Sequence, residues 1–163
     1  MQKFIPHILL TFLLGFLANS QIRIVKNILI KAFIAFYKPN LDEAIHSDIK
    51  KYSSYNDFFS RKLKADARRI DESEEVIISP VDGEIVDHGY IINNQLIQAK
   101  KYNYEFEELT GEKDSREYEN AYFITIYLAP TDYHRIHCPF DAKISNSIHL
   151  GSSLFGAVSY THL

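Results

Sequence analysis

The densest group of titratable side chains in this sequence is Tyr127-Leu-Ala-Pro-Thr-Asp-Tyr-His-Arg-Ile-His-Cys-Pro139, where Asp132, His134, Arg135 and His137 stand between two prolines. Histidine moves protons near neutral pH more readily than other side chains, so proton transfer is the first chemistry this stretch suggests. His134 and His137 are three residues apart, a spacing that suits two ligands on one helical face, but no Glu, third His or second Cys stands at metal spacing nearby. A hydrolase holding a metal on the two histidines is therefore the weaker alternative. A further carboxylate, Asp82, lies in Ser79-Pro-Val-Asp-Gly-Glu-Ile85. Such a turn can use its carboxylate only to cap its own backbone, and Asp132 could cap the turn after Pro130 in the same way. As an acid-base site, a histidine from one segment and an aspartate from another would orient and charge each other to activate a serine. The residue types alone leave both uses open.

The elements that must position these groups follow from periodicity. Ala121 to Leu128 is the strongest strand in the chain and delivers the Pro130–Pro139 segment at its end. Val76-Ile77-Ile78, Glu84-Ile85-Val86, Tyr90-Ile91-Ile92 and Gln95-Leu96-Ile97 read as short strands of an antiparallel meander, with turns at Pro80–Gly83, His88-Gly89 and Asn93-Asn94. Lys100 to Glu119 reads as helical and then looped, and Ala142 to Leu150 as one more strand. Ser53 to Phe59 predicts a short capped helix that turns a Phe pair inward. The expected class is α+β, a helical N-terminus followed by a mostly antiparallel β core that is incomplete at the C-terminus.

Phe4 to Ala18 is apolar apart from His7 and Thr11 but shorter than the roughly 20 residues of a spanning helix. Lys3 alone and the weak site around Leu17-Ala18-Asn19-Ser20 argue against a cleaved signal. Gln21 to Lys38 places Arg23, Lys26, Asn27, Lys31 and Lys38 on one arc of a helical wheel and aliphatics on the rest, and Pro39 ends it. Such a helix suits the headgroup region of an anionic bilayer; packing of both segments on the domain as a helical hairpin is the alternative. Lys62, Lys64, Arg68 and Arg69 form a basic cluster, either a solvated face or an extension of that lipid surface.

Composition narrows the partners. At 163 residues the chain suits one domain with a small appendage, and a net charge of -3 with a pI near 6.1 gives no basic field, so nucleic acid is not expected. The single Cys138 excludes an internal disulfide.

Taken in order, Asn56-Asp-Phe-Phe-Ser-Arg61, Ser79-Pro-Val-Asp-Gly83, Gln98-Ala-Lys-Lys-Tyr102, Tyr127-Leu-Ala-Pro-Thr-Asp-Tyr-His-Arg-Ile-His137 and Leu154-Phe155 closely resemble the phosphatidylserine decarboxylases, over about Ala32 to Val158. The resemblance implies a proenzyme that cuts itself before a serine in a Leu-Gly-Ser-Thr-like motif and turns that serine into a covalent pyruvoyl group, the electron sink for making phosphatidylethanolamine. It implies that Asp82 and His137 activate the serine in a protease-like triad and that His134 serves decarboxylation. It implies phosphatidylserine as substrate, a pyruvoyl-bearing C-terminal chain as partner, and peripheral attachment to the cytoplasmic face of a bacterial inner membrane.

The chain departs from the family pattern at its end. His149-Leu-Gly-Ser-Ser153 resembles the cleavage motif, but Leu154-Phe155 directly after it matches a segment well upstream of the family's cleavage serine, so the pyruvoyl-forming serine is expected to be absent. Val158 to Leu163 reads as the translation of an adaptor end, and His162 is not recruited as a catalyst. The expected organisation is a membrane-associating segment over residues 1–38, a partial catalytic domain over 39–157 and a non-native tail over 158–163, inactive as it stands. The rival from another class is a non-enzymatic, membrane-attached β domain.

Overall fold

Helix α1 spans His7–Ala18 and α2 spans Arg23–Tyr37; the computed structural model describes residues 7–73, 75–98, 102–111 and 114–147. The two helices are bent by 102° where they meet, and neither is long and apolar enough to cross a membrane by itself. Lys38, left-handed at φ 50°, closes α2 with its N–H on the Ile34 carbonyl, and Pro39 follows. The wide apolar face of α2 is divided. Ile30 and Phe33 enter a core with Tyr52 and Phe58, whereas Ile24, Ile28 and Phe36 are exposed. The basic arc is not uniform either: Lys26 is buried, its Nζ donating to Asn27 Oδ1 and to the Ile49 carbonyl, both at 3.3 Å. A helical wheel cannot contain that contact, because its acceptor lies in a separate 3-10 turn at Ile49–Lys51.

Helix α3, Tyr55–Phe59, forms where Ser54 and its neighbours predict it. Ser54 Oγ accepts from Asp57 N–H at 3.1 Å, and Asp57 in turn accepts from Ser53 N–H at 2.8 Å. The Phe pair splits its tasks. Phe58 is fully buried against Phe33 and Tyr52, while Phe59 is only partly covered.

Among the described residues the β structure consists of two antiparallel pairs. Strands β1 (Glu84–Tyr90) and β4 (Tyr122–Tyr127) form one; β2 (Gln95–Gln98) and β3 (Tyr102–Glu105) form the other. Asn93 and Asn94, both left-handed at φ 52° and 62°, make the turn before β2, as their pairing predicts. His88-Gly89 is not a turn. Both residues lie inside β1, where Gly89 faces Phe123 and a Cβ at position 89 would sit 3.3 Å from its ring, so the glycine serves a close packing contact.

The stretch expected to begin helical after Lys100 instead contains β3, a one-turn α4 (Phe106–Thr110) and a 3-10 turn at Ser115–Tyr118. It closes a second core of Ile91 and Phe106 with Tyr118, Ala121 and Phe123 around them. Val76 to Ile78 forms no ladder; Ile78 N–H bonds the Pro139 carbonyl instead. Residues 142–147 are not a strand, and the rest of that predicted strand, the Leu-Gly-Ser-Ser segment and the tail lie outside the described residues. The class is α+β.

Candidate active site

The site forms where β4 ends. Gly83, at φ 156°, lets the turn that carries Asp82 press against that end: a Cβ there would stand 2.5 Å from the Tyr127 carbonyl oxygen and 2.8 Å from Ile126 Cγ2. From the other side His137 N–H donates to the Pro80 carbonyl at 2.8 Å. The Pro80–Gly83 turn and the histidine segment are thereby held together through backbone.

Beyond β4 the chain folds back in a turn that Asp132 organises. Its Oδ2 accepts from Ala129 N–H at 2.7 Å, and its own N–H returns to the Ala129 carbonyl at 2.9 Å. Asp132 is thus a capping group. Two arginines fasten this turn to α3. Buried Arg61 donates from Nη2 to the carbonyls of Thr131 and Asp132 at 3.0 and 3.3 Å, and Arg135 Nε donates to the Ser60 carbonyl at 2.6 Å. The segments 56–61 and 127–137 are therefore locked in both directions. Burial lowers the Arg61 pKa from its ordinary value, with Tyr52, Glu43 and Asp132 pulling the other way, and its Nε and Nη1 have no hydrogen-bond partner among the described residues.

His134 lies with its ring stacked on Phe59, centroids 4.1 Å apart at 20°. Burial pushes its pKa below the ordinary imidazole value, partly offset by a hydrogen bond with the Ala129 backbone. The ring is thus kept neutral near pH 7, and its buried Nε2 has no partner among the described residues. His137 is more exposed. Its Nε2 meets the Tyr133 hydroxyl at 2.8 Å, and the two rings stack with centroids 5.4 Å apart.

Asp82 is not hydrogen-bonded to His137. Its carboxylate is held by Arg68, whose Nε reaches Oδ1 and Oδ2 at 3.2 and 3.1 Å and whose Nη2 reaches Oδ2 at 2.6 Å. The same Nη2 pairs with Glu43 at 2.8 Å. Arg68 therefore leaves the basic cluster that the sequence suggested and belongs to a carboxylate network. A cavity of about 200 Å³ opens here, lined among others by Glu43, Arg61, Arg68, Asp82, Asp132 and Tyr133. The sequence singled out Asp82, His134 and His137 as site residues but not Arg61 or Tyr133, and it read Arg68 only as part of a basic cluster and Phe59 only as a core residue. Only Tyr133, four residues before His137, carried a local signal.

An α+β domain that gathers a carboxylate turn and two differently housed histidines at one strand end has the parts of an acid-base enzyme site. A family model for phosphatidylserine decarboxylase matches residues 55–161, and a second, described as PSD, matches residues 1–38. The chain is 42% identical over 161 residues to the phosphatidylserine decarboxylase proenzyme of Francisella tularensis subsp. novicida (strain U112), covering 99% of this chain and 56% of that protein. It is also 42% identical over 157 residues to the proenzyme of Vibrio parahaemolyticus serotype O3:K6 (strain RIMD 2210633), covering 95% of this chain and 55% of that one. The chain belongs to the phosphatidylserine decarboxylase family. It spans a little over half the length of these curated relatives.

Proposed function

We propose that this chain is the N-terminal part of a phosphatidylserine decarboxylase proenzyme, with Asp82 and His137 serving self-cleavage and His134 serving decarboxylation of phosphatidylserine. The observation that carries the reading is the His137 N–H bond to the Pro80 carbonyl, which seats the histidine segment against the turn bearing Asp82. His137, exposed and oriented by Tyr133, can take a proton at Nε2 from an incoming hydroxyl that displaces the Tyr133 hydroxyl there, and a nearby Asp82 carboxylate stabilises the imidazolium that results. His134 suits a different task. Half-buried, neutral and with an Nε2 that has no partner among the described residues, it can hold a proton at that atom or accept one from a group brought to it.

Those unpartnered buried atoms fit a reactive group supplied by a further part of the polypeptide. A pyruvoyl group, when present, supplies the electron sink for loss of carbon dioxide. This chain contributes the proton-handling side chains around it, and without a pyruvoyl-bearing chain it is expected to release no carbon dioxide from phosphatidylserine.

The substrate is a bilayer lipid, and the exposed side chains of α1 and α2 fit a peripheral site on it. Phe12, Phe16, Ile24, Ile28 and Phe36 are each more than 60% exposed, a large apolar surface for a soluble face. Arg23 and Lys31 on α2 suit anionic headgroups, as at the cytoplasmic face of a bacterial inner membrane.

The test uses the full-length protein that carries this chain. Asp82→Asn and His137→Ala should leave it uncut, whereas His134→Ala should still yield two chains but no phosphatidylethanolamine. Normal self-cleavage in the first two variants would refute the assignment.

A further inference from the structure

Arg68 is committed on every side. Besides its three contacts to Asp82, its Nη2 bonds Glu43 and its Nη1 donates to the Ala67 carbonyl at 2.5 Å. Glu43 is itself fixed, because the Lys64 N–H donates to its carbonyl at 2.9 Å and the neighbouring Ala44 bridges to Leu63. The guanidinium therefore sits between Asp82 and a carboxylate carried on a braced backbone, at the wall of the cavity that Tyr133 also lines.

From this geometry we propose that Arg68 is a positioning residue for self-cleavage, presenting the ionised Asp82 carboxylate with one oxygen left open toward His137. The inference rests on the assignment of Asp82 and His137 as the pair that activates a serine. A carboxylate offers about four lone-pair sites. Arg68 takes two on Oδ2 and one on Oδ1, which leaves a site on Oδ1 for another donor. His137 is tied by its backbone to Pro80, two residues before Asp82; its Nε2, held here by the Tyr133 hydroxyl, is the nitrogen that a serine hydroxyl takes over, so the nitrogen left for Asp82 is Nδ1. A planar guanidinium fixes the direction of a carboxylate as well as its charge, which a lysine ammonium does not. Arg68, Asp82 and Glu43 are all partly exposed, and exposed ion pairs contribute little to stability. Loss of Arg68 should therefore appear in the rate of self-cleavage and not in the melting temperature.

The experiment compares wild type with Arg68→Gln, Arg68→Lys and Asp82→Asn in the full-length protein, following conversion from one chain to two on a denaturing gel and melting each variant. Arg68→Gln should slow conversion by about ten-fold or more, since a misplaced catalytic group can cost on the order of 100-fold, with a melting temperature unchanged to within about 2 °C. Arg68→Lys should fall between Gln and wild type. Wild-type conversion in Arg68→Gln, or Arg68→Lys no faster than Arg68→Gln, overturns the role of Arg68 while Asp82→Asn remains uncut. Normal conversion in Asp82→Asn removes the assignment of Asp82, and this inference with it.

Discussion

Replacing Phe58 by alanine should destabilise the domain and loosen the site together. Phe58 has no solvent exposure, and its ring meets the edges of Phe33 and Tyr52 nearly at right angles, at 5.9 and 5.3 Å. Truncation of a buried Phe costs about 3–5 kcal/mol, transfer and cavity terms combined. The two aromatic contacts, each worth about 0.5–1.5 kcal/mol beyond buried area, put the expected loss in the upper half of that range. The neighbours cannot easily collapse into the space, because Phe33 is already held edge-on by Tyr55 and Phe59. At about 2–4 °C per kcal/mol for a domain of this size or larger, melting should fall by roughly 8–20 °C. Urea denaturation of the full-length protein, followed by circular dichroism, measures the loss directly. Because α3 also carries Phe59 under His134 and ends at the Ser60 carbonyl that holds Arg135, self-cleavage should slow as well. A loss below about 1 kcal/mol, the size of an ordinary surface change, would refute the account of α3 as the anchor of the site.

Asn94→Ala should cost about 1–2 kcal/mol, because Asn94 is left-handed at φ 62° and its Oδ1 accepts the Glu107 N–H at 3.2 Å, whereas Asn94→Gly should cost less; thermal melts of the pair decide it. The pKa of His134 lies below its unfolded value of about 6.5, so as pH falls from there through the folded value the unfolded chain binds a proton that the native state refuses, and stability is lost. His134→Gln should therefore flatten the fall in melting temperature between pH 7.5 and 5.5; equal slopes would refute this. Changing Phe16, Ile24 and Phe36 together to serine should cut flotation with anionic vesicles by at least about 100-fold, since each side chain is worth about 1.5–3 kcal/mol when fully buried. Undiminished flotation would place the membrane contact elsewhere.

The sequence was most legible where structure is decided locally. Ser54 caps α3 through a residue three positions on, Asn93-Asn94 supply a turn from their own backbone freedom, and the β-branched run of β4 needs only to be extended. It was least legible where a residue answers to a distant partner. Gly89 looked like a turn because glycines usually punctuate strands, yet its neighbour is Phe123 on β4. Lys26 looked solvated because its acceptor, the Ile49 carbonyl, lies 23 positions away. The site divides in the same way. Asp82, His134 and His137 announce themselves by type and by resemblance to the family. Arg68 and Arg61 look like ordinary cations until the fold turns one onto a carboxylate 14 residues away and the other onto carbonyls 70 and 71 residues away.

The register of β1 on β4 connects the fold to the proposal that this chain is part of a longer proenzyme. Val86 is the extra residue of a bulge, so that Ile85 faces Ile126 while His88 and Tyr90 face Ile124 and Tyr122. Without that bulge the strict alternation of a strand would carry Ile85 to the opposite face from Tyr90. With it, Ile85, Tyr90, Tyr122, Ile124 and Ile126 share one side of the pair, and the first four remain more than half exposed. A two-stranded pair is marginal on its own in water, and a bulge that gathers apolar side chains onto an uncovered side gains nothing for an isolated hairpin. It gains a great deal if additional strands or helices lie across that side, as the greater length of the relatives allows. The same packing would cap the end of β4, where Nε2 of His134 and Nε and Nη1 of Arg61 have no hydrogen-bond partner among the described residues.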